Sequence, residues 1–180
     1  PIMEKKEHLL GSRRFLPMFL TQFFGALNDN VYKQSLLLVI TYGFIQQQTA
    51  SVSTLNNLAA LLFILPYFIF SATAGQIADK YERSFLIRNI KLLEIVIMLI
   101  GSAGFMLGNL WLVLTALFLM GTHSAFFGPI KYAILPEILK PNELMSGNAL
   151  FQSGTSIAIL IGMILGGVVI SNSAGNLLWI

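Results

Sequence analysis

Leu55–Ala78 reads LNNLAALLFILPYFIFSATAGQIA, and Asp79-Lys80-Tyr81-Glu82-Arg83 follows it. Twenty-four residues without a charge are enough for one bilayer crossing, which takes about 20. The dense charge that follows marks where such a crossing leaves the hydrocarbon. The same alternation repeats along the chain. All nineteen charged residues fall in four places: Glu4–Arg14, the pair Asp29 and Lys33, Asp79–Glu94, and Lys131–Glu143. Between them run three uncharged tracts, Gln34–Ala78, Ile95–Ile130 and Leu144–Ile180, of 45, 36 and 37 residues. Each tract is about two crossings long and predicts all or most of a hairpin.

Composition agrees. Of 180 residues, 56% are hydrophobic and 11% charged, and mean hydropathy is +0.75. So few charges cannot coat a soluble domain of this size. An ordinary globular enzyme, a disordered tail and a nucleic-acid binder are excluded. The net charge of +3 is too small to signal a polyanion partner. With no cysteine, disulfides, Cys-ligated zinc and thiol catalysis are excluded as well.

Transmembrane strands alternate apolar and polar positions. Leu58–Ile69 and Leu110–Leu119 are almost wholly apolar, so helices are expected, which satisfy their own backbone in lipid. The reading is an all-α integral membrane protein with helices at Phe15–Tyr42, Leu55–Ala78, Phe85–Leu107, Leu110–Gly128 and Leu144–Ile170. The expected connections are Gly43–Thr54, Asp79–Ser84, Gly108–Asn109, Pro129–Glu143 and Ser171–Asn176, with a sixth helix starting near Leu177. Residues 1–14 form an N-terminal segment and 15–180 the transmembrane domain. Ten of the eleven Lys and Arg lie at the end shared by that segment and the Asp79–Glu94 and Lys131–Glu143 clusters. The positive-inside rule makes that end cytoplasmic. The chain begins without Met and stops within an apolar stretch, so a fragment of a longer protein is expected.

Asn28, Asp29 and Asn30 lie midway along the first helix, with Lys33 one turn on. Asp29 is about 21 Å in from Phe15, near the bilayer centre. An ionisable group there is costly and marks a functional site by default. Asp29 and Lys33 are spaced i, i+4 and are placed to pair. The alternatives are a self-neutralising structural pair and a pair lining a polar cavity; the two asparagines favour the cavity. Lys91 and Glu94, at i, i+3, are expected to pair. His123 stands alone on the fourth helix as a packing or hydrogen-bonding residue. Lys131 falls at headgroup depth, after Pro129 bends or stops the helix. Gly154, Ala158, Gly162 and Gly166 form a small-residue seam for helix packing. No metal spacing, catalytic triad or phosphate loop is present, and no cofactor is expected.

The run Gly75–Arg83 resembles the signature loop of the major facilitator superfamily, between its second and third helices. The family pattern is Gly-x-Leu-Ala-Asp-Arg-x-Gly-Arg. Gly75, Ala78, Asp79 and Arg83 match it, Ile77 and Lys80 are conservative changes, and Glu82 replaces the second glycine. Gln22–Asn30 and Phe127–Pro136 resemble the bacterial lysophospholipid transporter branch, a likeness that continues through Asn148 and Gly154 to Gly166 and Gly167. The resemblance implies a twelve-helix fold of two halves, of which this chain holds the first five helices. It implies inward movement of lysophospholipid, chiefly lysophosphatidylethanolamine, across the bacterial inner membrane for re-acylation. Its partners would be membrane lipid, the remaining half of the transporter and an acyltransferase, fused or separate. On that footing Asp29 meets the ammonium, Asn28 and Asn30 donate hydrogen bonds, and Lys131 meets the phosphate. Lys33 is a substrate-site candidate outside the motif. Gly75, Asp79, Lys80 and Arg83 form a cytoplasmic gate latch. The chain itself is not expected to be an enzyme. Two other functions fit the same residues: a proton-coupled transporter of a small solute or drug, using Asp29 or Glu94, and a membrane anchor for an acyltransferase.

Overall fold

The computed structural model describes residues 9–43 and 51–177. After a 3-10 turn at Leu9–Gly11 come five helices: α1 (Leu16–Gly43), α2 (Val52–Lys80), α3 (Arg83–Met106), α4 (Leu110–Ile138) and α5 (Leu144–Leu177). Three of them, α2, α4 and α5, are long and apolar enough to cross a membrane. At 28 and 24 residues, α1 and α3 reach roughly 42 and 36 Å, and they hold the ionic groups of the interior.

Helix starts follow local chemistry. Ser51 caps α2, its Oγ accepting from the Thr54 N–H at 3.3 Å. Asn109 caps α4, its Oδ1 accepting from the N–H groups of Trp111 and Leu112 at 3.0 and 3.2 Å. Both satisfy donors that a helix N-terminus leaves open. Gly108, at φ 60°, makes the α3–α4 turn in a conformation that costs other residues a clash.

Two expectations need correction. Helix α4 does not end at Gly128. It runs through Pro129 and Pro136 to Ile138, leaving only 139–143 as the connection. A proline removes one backbone donor, and a helix packed among neighbours tolerates that loss in a membrane. Nor is there a break at Ser171–Asn176 before a new helix near Leu177: α5 continues unbroken to Leu177.

Half of the α4 span is buried, against 17% for α2 and 22% for α5. Helix α4 is therefore the central post, flanked by α2 and α3, while α1 packs on α5. Small residues set both close approaches. A Cβ on Gly162 would lie 2.6 Å from the Leu27 carbonyl oxygen, and one on Gly166 would lie 2.8 Å from that of Val31. A Cβ on Gly121 of α4 would strike the Phe63 carbonyl of α2.

Besides a small group of Ala78, Leu86 and Ile130, two apolar clusters fill the interior. One, toward the α3–α4 turn, holds Tyr32, Leu36, Ile40, Ile97, Leu117 and Met120. The other, toward the α4–α5 turn, holds Phe15, Met18, Phe127, Leu135 and Phe151. A polar belt lies between them. Large apolar side chains such as Phe68, Leu99, Met106 and Ile164 point outward, as lipid-facing residues do. The charged segments gather at one end: Arg83 pairs with Glu137. Arg14 also lies 3.6 Å from Glu143 and donates to the Ile138 carbonyl at 3.4 Å.

Candidate functional site

The belt is built from α1 outward. Successive helical residues turn about 100° apart, so Asn28, Asp29 and Asn30 address three different surroundings. Asn28 Nδ2 donates to Glu94 Oε1 of α3 at 3.4 Å. Asp29 Oδ2 accepts from Ser124 Oγ of α4 at 3.3 Å. Asn30 Nδ2 donates back to the Ala26 carbonyl at 2.7 Å. The three polar residues do not converge on one point.

Glu94 is the hub of the belt. Its Oε2 accepts from Lys91 Nζ at 2.7 Å, the pairing expected from their spacing. His123 Nε2 stands 3.3 Å from the same oxygen. His123 is thus not alone. Its ring stacks on Phe127 with centroids 6.0 Å apart, and Lys91 Nζ sits 4.4 Å from the centre of that Phe127 ring. Gly25 makes room for this: a Cβ there would lie 2.6 Å from Lys91 Nζ. The i, i+3 pair on α3 was legible in sequence. The meeting with His123, from another helix, had no local signal.

Asp29 and Lys33, placed by their spacing to pair, do not form an ion pair. Among the described residues, no carboxylate lies within 4.0 Å of Lys33 Nζ, which rests 4.3 Å from the centre of the Phe63 ring of α2. Asp29 turns toward α4 instead, where Ser124 holds it. Asp29 Oδ1 is buried with no hydrogen-bond partner, as are both ring nitrogens of His123. A buried carboxylate oxygen with an open lone pair can accept a proton or a donor such as an ammonium. Lys33 borders a recess of about 340 Å³ between α1, α2, α4 and α5, with Asn30, Gln34 and Asn56 among apolar walls.

Lys131 lies in the last third of α4, with its Nζ 5.1 Å from the Tyr132 ring centre. Because α4 runs on to Ile138, Lys131 sits about 10 Å inside the helix end, not at its exit. The seam Gly154, Ala158, Gly162 and Gly166 faces α1: Gly154 abuts the Phe19 ring, and Ala158 is fully buried. At the charged end, Asp79, Lys80 and Arg83 border a crevice of about 330 Å³ closed on one side by Glu137. Gly75, one turn before Asp79, has open space around it. Among the described residues, no three His, Asp or Glu are placed to hold a metal.

Comparison with known proteins places this arrangement. Lysophospholipid transporter LplT of Cronobacter sakazakii (strain ATCC BAA-894) is 32% identical over 162 residues, covering 88% of this chain and 37% of the relative. The protein of the same name from Salmonella newport (strain SL254) is 29% identical over 160 residues, with the same coverage. The chain therefore spans a little over a third of the length of these curated relatives. No solved structure matches it significantly. The sequence profile of the Major Facilitator Superfamily matches residues 18–180. With its signature run at the α2–α3 turn and its five helices, three of them long and apolar enough to cross a membrane, the chain belongs to the major facilitator superfamily, a family of transporters and not of enzymes.

Proposed function

We propose that this chain forms the first part of a transporter that moves lysophospholipid, lysophosphatidylethanolamine or a close analogue, across the bacterial inner membrane for re-acylation. It works by alternating access, with the charged end and the N-terminus cytoplasmic. The observation that carries the reading is Asp29: a carboxylate in the middle of a membrane helix, held on one oxygen by Ser124 and open on the other. A structural carboxylate would be saturated by its neighbours. An open one suits a substrate donor, here the ethanolamine ammonium, and Lys131 on the cytoplasmic side suits the phosphate. The printed names of the relatives support the same substrate class.

A second reading has one observation in its favour. His123 within 3.3 Å of Glu94 makes a protonatable couple inside the membrane, as a proton-driven transporter of small solutes needs.

The deciding experiment is uptake of labelled lysophosphatidylethanolamine by spheroplasts that lack their own transporter and express the complete transporter containing this segment. Uptake that survives an uncoupler and falls in Asp29→Asn supports the lipid reading. Uptake abolished by the uncoupler supports the proton-coupled one. A well-expressed protein with no lipid uptake overturns the first reading.

A further inference from the structure

The belt contains more positive charge than the carboxylates around it can neutralise. Glu94 is taken by Lys91 at 2.7 Å. Asp29 is the one carboxylate left among the described residues of the belt, against two lysines, Lys33 and Lys131. Neither has a carboxylate within 4.0 Å among the described residues; each rests against an aromatic ring instead. An uncompensated cation inside a membrane is costly, and an anion brought by a substrate removes that cost.

The two lysines are also in line. Leu117, Ser124 and Lys131 follow one another at intervals of seven on α4, a spacing that drifts only about 20° per step around a helix. Leu117 borders the recess that holds Lys33. Ser124 holds Asp29. Lys131 closes the row toward the charged end. One stripe of α4 therefore passes Lys33, then Asp29, then Lys131, over roughly 21 Å of helix. On the facing side, Phe63 of α2 stands at Lys33.

We propose that Lys33 and Lys131 are two successive stations for the phosphate of the transported lipid, with Asp29 holding the ammonium between them. This deepens the lysophospholipid reading and rests on it. From the uncharged end, the phosphate first meets Lys33 in the recess of about 340 Å³, whose apolar walls accept the start of the acyl chain. It then passes to Lys131 as the cavity opens toward the charged end. The amine–phosphate contact is a charge-assisted hydrogen bond at each station. Splitting the path in two spares the phosphate a long crossing without a partner.

The test is the kinetics of lysophosphatidylethanolamine uptake by the complete transporter in spheroplasts. Lys33→Gln is expected to raise KM about tenfold with kcat nearly unchanged, because it removes the first docking contact. Lys131→Gln is expected to lower kcat about tenfold with KM nearly unchanged, because it removes a contact that forms as the phosphate crosses the barrier and is absent from the docked state. Lys33→Arg should retain most of the wild-type KM. Equal rises in KM for both glutamine variants would mean one shared site and overturn the proposal. So would a Lys33→Gln variant with wild-type kinetics. Should Lys33→Gln fold poorly, Lys33→Cys, made with any cysteines elsewhere in the transporter replaced, is treated with a reagent that adds an aminoethyl group to the thiol; the segment has no native cysteine. Recovery of KM with the restored amine supports the station, and complete modification without recovery overturns it. Absence of uptake by the well-expressed wild type would overturn the transport reading and this proposal with it.

Discussion

Asp29 and Lys33 stand one helical turn apart on α1 and serve different neighbours: Asp29 Oδ2 accepts from Ser124 of α4 at 3.3 Å, while Lys33 Nζ lies 4.3 Å from the Phe63 ring centre on α2. An i, i+4 acid and base on an isolated helix would meet across that turn. Here the two side chains face different helices, Asp29 toward α4 and Lys33 toward α2, and they do not meet.

Ser124→Ala should separate the roles of the two Asp29 oxygens. It removes the one hydrogen bond that orients the carboxylate and leaves the charge in place. We expect uptake to fall by about five- to twelvefold, less than for Asp29→Asn, given about 1–1.5 kcal/mol for one such bond. Side-by-side uptake assays at matched expression check this ordering.

Glu94→Gln should be mainly a stability variant. It leaves Lys91 and His123 facing a neutral amide at a site where Glu94 is only 8% exposed. Breaking one side of a buried pair costs about 3–5 kcal/mol. The melting temperature of the detergent-solubilised protein should drop clearly, and Lys91→Met with Glu94→Leu should recover part of the loss. An unchanged melting temperature in Glu94→Gln would show that the hub does not hold α1, α3 and α4 together.

Gly162→Leu should disrupt the α1–α5 contact. A Cβ alone would already lie 2.6 Å from the Leu27 carbonyl oxygen, and the clash is with backbone, which cannot swing aside. Overpacking of this kind costs about 1–3 kcal/mol or more. Gly167→Leu, at a position with open space around it, is the control. Thermal unfolding of the two variants should differ in that direction.

Arg83 and Glu137 join the α2–α3 turn to the end of α4 where both side chains are partly exposed. A pair at that exposure contributes about 0–1 kcal/mol. Arg83→Glu should therefore leave the melting temperature nearly unchanged and affect uptake instead. The double swap Arg83→Glu with Glu137→Arg should restore part of that uptake.

Much of the fold was legible in sequence because lipid imposes a simple rule. Charge position and apolar runs together located five helices, and the contacts of Arg14, Arg83, Glu137 and Glu143 gather the charged segments at one end as the charge pattern implied. Helix ends were harder to place. Pro129 and Pro136 look like stops, yet α4 absorbs both, because the cost of a missing donor depends on neighbours that the sequence does not display. The site was legible in its residues and not in its directions. Asp29 stood out as a charge in an apolar helix. That Asn28 would turn to Glu94, or that His123 would meet it, depends on how three helices rotate about their axes. Helical periodicity is silent there, since the polar residues of the central helix, Thr122, His123, Ser124 and Lys131, do not share one face.

The glycine seam has a mechanical consequence. Between α1 and α5 the backbones themselves touch at Gly162 and Gly166, so no layer of flexible side chains is available there to shear or reshuffle. The two helices are in effect one double-width beam. Asp29 and Lys33 ride on that beam, whereas Ser124, Phe63 and Lys131 ride on the frame of α2, α3 and α4. Any tilt of the beam against the frame must slide the acid along the row of its partners.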